Sequence, residues 1–484
     1  MAQRADRSFD MAAREVFEHR GIEPVPATGR YGTPVSQFRI WFGANAVVSS
    51  LFVGFLGPVV FGLSFWASLT AIVAGTFVAS LAIGFLSTLG PRTGLVQILF
   101  SRFVFGYWAG RLLGFFNALY CYAWSAVNLV TGTAAVQLGF VLMGVTLLGT
   151  GKGSYALWVI VIAAITTAIS VIGYNLVHRW EKYSTYASIA VFAIITVALL
   201  AHHPNAGTTT VTGGTYVKSW ISMALTSFGF AIGWVPYTSD YSRRLPAASS
   251  LRAVFSWAAL GLLLSASWVE GLGALISTTA FKTVSATDVV HGVPAILGNN
   301  GSVVTGLLII GLSTVSNNIP NDYTGGLSIQ AAGIHIHRWI VTAIGGMLSA
   351  LGAIFFLQNF AGKLQAFLLL LSYWVGAWFV LIAYDFIKRG GRYNPARWDD
   401  PPRLPLGLGP TIAFVAALIG AWFGMIPSDP AVAYNVLGQS IIGNHIGVDF
   451  GFIMAITTAL VVRAVTDLLL PDSVERAGPA YADG

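Results

Sequence analysis

Long apolar blocks separated by short polar stretches follow one another along the whole chain of 484 residues. A block of about 20 residues is long enough to cross a hydrocarbon core of roughly 30 Å as a helix. The blocks lack the alternation of a membrane barrel, so the spans are helical. The pattern predicts twelve transmembrane helices, at 38–64, 66–88, 112–141, 154–176, 183–202, 216–237, 251–277, 301–330, 336–356, 360–388, 406–426 and 446–470.

Composition and charge agree with an integral membrane protein in contact with a lipid bilayer. Charged residues make up 9% of the chain, against roughly 25% in soluble domains. With the amino terminus inside, all of the 26 Lys and Arg residues lie on the cytoplasmic side except Lys152, Lys218, Lys282 and Lys363. The positive-inside rule therefore predicts a multi-pass protein of the plasma (inner) membrane with both termini cytoplasmic. The basic residues are spread over short loops, which gives no indication of a nucleic-acid partner.

Helices 1 and 6 both contain sequences that interrupt a helix, "VGFLGP" at 53–58 and "FGFAIGWVP" at 228–236. Lipid cannot satisfy the backbone groups that such breaks release, so we expect both breaks to face a cavity inside the protein. Breaks five helices apart indicate two inverted repeats of a transporter. The predicted organisation is 1–37 cytoplasmic tail, 38–202 first repeat, 203–389 second repeat, 390–405 cytoplasmic link, 406–470 helices 11 and 12, and 471–484 cytoplasmic tail.

Polar residues concentrate on helices 3 and 8, which correspond to each other in the two repeats. On helix 3, Trp124 and Asn128 are four residues apart and share a face. Helix 8 carries "SNNIPND" at 316–322; we expect Asn318 and Asn321 to share a face and Asn317 to point elsewhere. With Asn45 and Ser49 of helix 1 and Trp234 of helix 6, these residues should converge near the midplane of the membrane.

This residue set predicts the chemistry of a ligand. Two tryptophans can hold a flat ring between them, and carboxamides offer both donors and acceptors to the edge of a heterocycle. A carboxylated or phosphorylated ligand would require cations or exposed helix amino termini near the midplane. The favoured ligand is therefore neutral, planar and rich in hydrogen-bonding groups.

Two acidic residues lie inside predicted spans, Glu270 in helix 7 and Asp322 in helix 8. Carboxyl groups are costly to bury there and are functional candidates by default. Each is either a proton carrier or a paired structural group. The chain has no nucleotide-binding lysine motif and no nucleophile with a partnered base. We therefore expect a transporter rather than an enzyme, with a passive facilitator or channel, and a substrate sensor, as alternatives of other classes.

Several motifs together resemble the purine-cytosine permease branch of the nucleobase:cation symporter family. They run in order from about residue 20 to about residue 400 and are "GIEPVP" (21–26), "GPRTGL" (90–95), "SRFVFGYWAG" (101–110), "WSAVN" (124–128), "GWVPYTSDYSRRLP" (233–246) and "SNNIPNDYT" (316–324). The resemblance implies an all-α leucine-transporter-type fold, with a five-plus-five inverted repeat followed by two carboxy-terminal helices.

The resemblance also implies a function and a binding site. The substrate would be cytosine or a purine such as adenine, guanine or hypoxanthine; allantoin, hydantoin, uracil, thiamine and pyridoxine are alternatives on the same fold. The ring would stack between Trp124 and Trp234, and Asn128 and Asn321 would bind its polar edge. Gly233 would offer backbone contacts, and Ser49 would line the site. We expect no resident cofactor. The sequence gives no prediction of the oligomeric state.

The coupling cation implied by the resemblance is Na+ or H+. Sodium-coupled relatives place the ion between carbonyl groups of helix 1 and a pair of hydroxyl residues in helix 8. The sodium site would be surrounded by Asn45, Val48, Ser313 and Ser316. One expected hydroxyl residue is replaced by Val315 or Asn317, depending on the register, which favours proton coupling slightly.

Overall fold

The computed structural model describes residues 21–172, 174–280, 289–334, 336–357, 360–426 and 445–470. The predicted carboxy-terminal tail and most of the predicted amino-terminal tail lie outside these ranges. We number the main helices by the predicted span that each one forms. They are α1a (Val35–Asn45), α1b (Val48–Val59), α2 (Phe65–Ser87), α3 (Phe100–Leu142), α4 (Gly151–Ile172), α5 (Tyr174–Ala201), α6a (Gly213–Ile232), α6b (Thr238–Ser242), α7 (Leu251–Thr279), α8a (Gly301–Leu312), α8b (Thr314–Ala331), α9 (Arg338–Leu357), α10 (Phe360–Lys388), α11 (Leu408–Gly424) and α12 (Gly451–Leu469).

Within the described ranges, eight helices are long and apolar enough to cross a membrane, or nine if α1a and α1b form one bent span. Helices α6a, α9 and α11 lie where the other three spans were predicted. The described residues form helices and turns, without a strand. The all-α membrane architecture is therefore confirmed, whereas the count of twelve and the domain boundaries stay predictions.

The break of helix 1 lies earlier than predicted. Helices α1a and α1b meet at Ala46 and Val47 with a bend of 62°. The backbone of Val47 is extended. Pro58 does not interrupt the span, because it lies in the last turn of α1b, where the loss of one amide donor affects only the helix end.

The break of helix 6 lies within the predicted segment. Helix α6a ends at Ile232, and a single 3-10 turn, Val235–Tyr237, leads into α6b. Helix 8 is also divided, because α8a and α8b are joined through Ser313. The breaks of helices 1 and 6 free backbone groups that the surrounding protein must satisfy.

The helices pack as two groups around these breaks. Helix α7 packs on α1a, α1b and α2, and α6a packs on α2; α3 packs on α8a, α8b and α9, and α4 packs on α8b and α9. We call the first set the α1–α7 group and the second the α3–α9 group. A Cβ atom added to Gly54 of α1b would lie 1.7 Å from the carbonyl oxygen of Glu270 on α7, so these two helices touch backbone to backbone.

Candidate substrate site

A small cavity lies between the breaks of helices 1 and 6 on one side and α3 and α8b on the other. Its volume is about 10 Å³, close to the space of a single water molecule, so its walls nearly touch. Six of the seven predicted substrate-binding residues line it, and Asn318 is the exception. The lining residues are Ser49, Trp124, Asn128, Phe230, Gly233, Trp234, Tyr237, Asn317 and Asn321.

The two predicted tryptophans belong to different helix groups. Trp124 of α3 packs edge-on against Phe230 of α6a, with 5.5 Å between ring centroids. Trp234 packs edge-on against Tyr237, at 5.3 Å. A Cβ atom on Gly233 would lie 2.7 Å from the Trp124 ring, so only glycine lets the indole lie against this backbone. The Tyr120 hydroxyl donates to the carbonyl oxygen of Gly233 at 2.5 Å and satisfies one backbone group of the break.

Asn45 holds Trp234 in place. Its Oδ1 accepts a hydrogen bond from Trp234 Nε1 at 3.1 Å, and its Nδ2 donates to the carbonyl oxygen of Trp41 at 2.8 Å. Its own carbonyl oxygen accepts from the Ser50 hydroxyl at 2.7 Å. Both oxygen atoms of Asn45 thus accept one hydrogen bond each, at the aromatic wall and at the break of helix 1, and its place beside a cation stays a prediction.

The asparagines of α8b also correct a prediction. Asn317 and Asn321 face the cavity, whereas Asn318 turns toward α3 and accepts a hydrogen bond from Asn128 Nδ2 at 3.0 Å. Residues four apart lie on one helix face, whereas the residue next to Asn317 points about 100° away. Asn321 Oδ1 accepts from the Tyr237 hydroxyl at 2.8 Å. Asn317 Oδ1 is buried without a hydrogen-bond partner among the described residues.

Two aromatic residues of the cavity, Phe230 and Tyr237, were missed by the sequence prediction. Phe230 lies inside the predicted break of helix 6, and Tyr237 follows it directly in the motif "GWVPYTSDYSRRLP". The signal that could have found them is their position, because residues at a broken span line the cavity that the break requires.

Two of the remaining predicted cation residues, Ser313 and Ser316, lie on the wall of a second, larger cavity, across from Ala46 and Val47 at the break of helix 1. The Ser313 hydroxyl donates to the carbonyl oxygen of Ile310 at 2.6 Å. The Ser316 hydroxyl is buried without a partner in the described part of the chain. Val48 is the first residue of α1b and is buried behind this wall.

The two acidic residues predicted inside spans, Glu270 and Asp322, are not among the lining residues of either cavity. Glu270 Oε2 accepts a hydrogen bond from the Ser227 hydroxyl of α6a at 2.6 Å, and its Oε1 has no partner among the residues described. Asp322 lies close to the side chain of Ser170 of α4. Glu270 therefore lies in the α1–α7 group and Asp322 in the α3–α9 group.

The larger cavity is a vestibule of about 770 Å³ that connects the site with one end of the protein. It begins at Trp234 and Asn317 and reaches Tyr31, Arg39 and Arg244 at the end predicted to be cytoplasmic. Beyond the other end of the site, the turn Val289–His291 packs on α1b, α3 and α7. Among the described residues, the vestibule therefore leads from the small cavity toward this one end of the protein.

A family profile described as a permease for cytosine/purines, uracil, thiamine and allantoin matches residues 24–398. This range contains every lining residue of the small cavity. The chain belongs to this permease family. It is therefore a membrane transporter and not an enzyme. The purine-cytosine permease fcyB of Emericella nidulans is 30% identical to it over 472 residues, which cover 94% of this chain and 89% of that protein.

Two further comparisons agree with this assignment. A purine-cytosine permease of Saccharomyces cerevisiae is 28% identical over 464 residues, which cover 92% of this permease and 84% of that protein. The structure of MHP1, a nucleobase-cation-symport-1 family transporter in a closed conformation with bromovinylhydantoin bound, matches with a TM-score of 0.70. It is 16% identical and covers 97% of this chain and 98% of that one. The structural similarity confirms the predicted leucine-transporter-type fold.

Thiol labelling tests which side of the membrane the vestibule opens to. Ser316→Cys places a thiol on the vestibule wall, while the single native cysteine, Cys121, is buried. We expect a membrane-impermeant maleimide to label this variant from the amino-terminal side of sealed vesicles. Thr76→Cys on α2, where the side chain is fully buried, is the control and should stay unlabelled. Labelling of Ser316→Cys only from the opposite side would contradict the predicted orientation.

Proposed function

We propose that this permease imports a neutral nucleobase, cytosine or a purine such as adenine, guanine or hypoxanthine, in symport with a cation by alternating access. The observation that carries the proposal is the wall of the small cavity, which combines two indoles with three carboxamides and has no charged side chain. The names of the related purine-cytosine permeases support the same substrates. We place the protein in the plasma or inner membrane with both termini cytoplasmic.

The cavity suits an uncharged ring for electrostatic reasons. A carboxylate or phosphate group brought into it would lose its hydration and gain no cation from the lining residues. A nucleobase instead offers N–H groups, carbonyl oxygens and ring nitrogens to carboxamides, and a flat apolar face to the indoles. Because the cavity is small, we expect the aromatic side chains to move apart when the ring enters.

The two helix groups contribute different parts of the site, which suggests how transport occurs. Ser49, Trp234 and Tyr237 belong to the α1–α7 group, and Trp124 and Asn128 belong to the α3–α9 group. A bound ring would contact both groups at once and stabilise the arrangement in which they close around it. Rotation of one group against the other would then open the site toward the opposite side.

A second candidate substrate is another neutral heterocycle. The family description includes uracil, thiamine and allantoin beside cytosine and purines, and hydantoin and pyridoxine have similar hydrogen-bonding edges. A passive channel is less consistent with the lining of the small cavity, because tight enclosure of a ring by two indoles slows conduction.

Uptake by proteoliposomes distinguishes these functions. Radiolabelled cytosine and adenine should accumulate when a proton or sodium gradient is imposed, and unlabelled nucleobases should compete. Accumulation of allantoin, hydantoin, thiamine or pyridoxine without any nucleobase would contradict the proposed substrate. Flux that ignores both gradients would contradict symport.

The carboxamides of the small cavity should determine affinity. Asn128→Ala and Asn321→Ala should each weaken nucleobase binding by about 1 to 3 kcal/mol, because each leaves a desolvated ligand group without its partner. Trp124→Ala should weaken the binding of all bases alike, whereas the asparagine variants should change the preference among bases. The control is Asn299→Ala, whose amide lies at the exposed loop before α8a. Wild-type affinity in both Asn128→Ala and Asn321→Ala would show that neither asparagine binds the ligand.

We further propose that the coupling ion is a proton carried by Glu270. This carboxyl group is fully buried, accepts one hydrogen bond and has no ion pair among the described residues. The neighbouring helices α1b and α2 contain no titratable side chain. The titratable side chains of α6a, Tyr216 and Lys218, lie more than two helical turns from Ser227. Burying an ionised carboxylate without a cation is costly, so proton exchange at Glu270 would be coupled to a change in its surroundings. A sodium ion at Ser313 and Ser316 is the alternative.

Glu270→Gln tests this assignment. The amide keeps the size of the side chain and can accept the Ser227 hydrogen bond, but it cannot exchange a proton at neutral pH. We expect gradient-driven accumulation of substrate to be lost, while exchange of labelled for unlabelled substrate continues. Asp322→Asn, an equally buried carboxyl in the other helix group, is the matched control and should keep proton-driven accumulation. Proton-driven accumulation that survives in Glu270→Gln would exclude Glu270 as the carrier.

A further inference from the structure

We propose that Asn318 is a positioning residue that fixes the carboxamide of Asn128, so that the oxygen of Asn128, and not its nitrogen, faces the ligand. The permease would then prefer bases that donate an N–H group at this point, cytosine over uracil and adenine over hypoxanthine. The inference rests on the proposed function, because it concerns the specificity of the same site.

The orientation of both carboxamides follows from one backbone group. Asn318 Nδ2 donates to the carbonyl oxygen of Ser125 at 3.3 Å. A backbone carbonyl can only accept hydrogen bonds, so the nitrogen of Asn318 must be the atom that lies against Ser125. The oxygen of Asn318 is then the atom that faces α3, and it accepts from Asn128 Nδ2 at 3.0 Å.

The same geometry leaves the oxygen of Asn128 for the ligand. Asn128 lines the small cavity, and its Oδ1 accepts no hydrogen bond from the residues that the structure describes. Turning the carboxamide over would bring this oxygen against the oxygen of Asn318 and leave two buried groups unpaired. Losing a buried hydrogen bond of this kind disfavours the turned form by about tenfold or more. The side chains of Asn128 and Asn318 are 3% and 1% exposed, so solvent cannot take the place of the lost partner.

The other polar groups of the cavity include acceptors and donors. Asn321 Oδ1 accepts from the Tyr237 hydroxyl, and its Nδ2 reaches the carbonyl oxygen of Asn317 at 3.4 Å. Asn317 Oδ1, the Ser49 hydroxyl and Trp124 Nε1 lie on the same cavity and have no partner within the described ranges. Near Asn128, therefore, a ligand meets a carboxamide oxygen, whereas the donor Trp124 Nε1 lies elsewhere on the wall. An amino base presents N–H groups where the matching oxo base presents a carbonyl oxygen, and two facing acceptors cannot form a hydrogen bond.

Competition measurements on purified full-length protein in liposomes test the inference. We measure the affinities of cytosine, uracil, adenine and hypoxanthine for the wild type and for Asn318→Leu, which keeps the branched shape of the side chain but removes the amide. The wild type should prefer the amino base of each pair. Asn318→Leu should reduce each preference by about tenfold, because Asn128 is then free to present either atom. Asn318→Ala removes the amide without adding bulk. It replaces Asn318→Leu in the same measurement if the leucine variant does not fold.

Two further variants separate positioning from general packing. Asn117 is fully buried on α3 and donates to the Ser328 hydroxyl of α8b at 2.9 Å, across the same pair of helices but away from the cavity. Asn117→Leu should therefore keep the wild-type preference even if it lowers stability. Asn318→Asp should also keep the wild-type preference, because a protonated carboxyl can donate to the carbonyl oxygen of Ser125 and accept from Asn128 as the amide does.

Each outcome has a distinct meaning. A wild type that prefers the oxo bases, an unchanged preference in both Asn318→Leu and Asn318→Ala, or an equal reduction in Asn117→Leu would overturn the positioning role. A wild type that binds none of the four bases would instead contradict the proposed function, and the specificity inferred here with it.

Discussion

Hydrogen bonding of buried carboxamides is the constraint on which the candidate site depends. Asn128 of α3 and Asn318 of α8b satisfy each other across the helix interface, and Asn321 is satisfied by Tyr237. Asn128 uses its nitrogen in this way and leaves its oxygen at the cavity, whereas both ends of Asn318 are engaged. A buried polar group without a partner is costly, so these carboxamides are stable in the membrane only with their present hydrogen-bond partners. The same partners determine which atom of a carboxamide faces a ligand.

The broken helices have a related role. Breaks at Ala46–Val47 and at Gly233 release backbone groups inside the protein, and aromatic residues cover them: the Tyr120 hydroxyl bonds the carbonyl oxygen of Gly233, and Trp234 is fixed through Asn45. Each break also allows a change of direction within a span. In the proposed cycle, one helix group moves against the other and opens the same site to either side, while the hydrogen bonds within each group are kept.

The sequence was sufficient for the class of fold and for most of the residues that line the small cavity. Apolar blocks predicted the spans, and the spacing of Trp124 and Asn128 predicted their common face, because both depend on local periodicity. The errors concern residues whose position depends on a neighbouring helix. Pro58 suggested a break that the helix tolerates near its end, and the asparagines of α8b could not be assigned to faces without the position of α3. The partners of Asn45, Trp234 and Trp41, could not be predicted either, because they are determined by tertiary packing.

A structure of the permease with cytosine bound tests the central claim most directly. The account predicts that the ring lies between Trp124 and Trp234, that an amino hydrogen points at Asn128 Oδ1, and that Asn128 and Asn318 remain hydrogen-bonded to each other. Density for the base in the vestibule alone, with the small cavity still closed, would contradict it. So would a bound base that receives a hydrogen bond from Asn128 Nδ2.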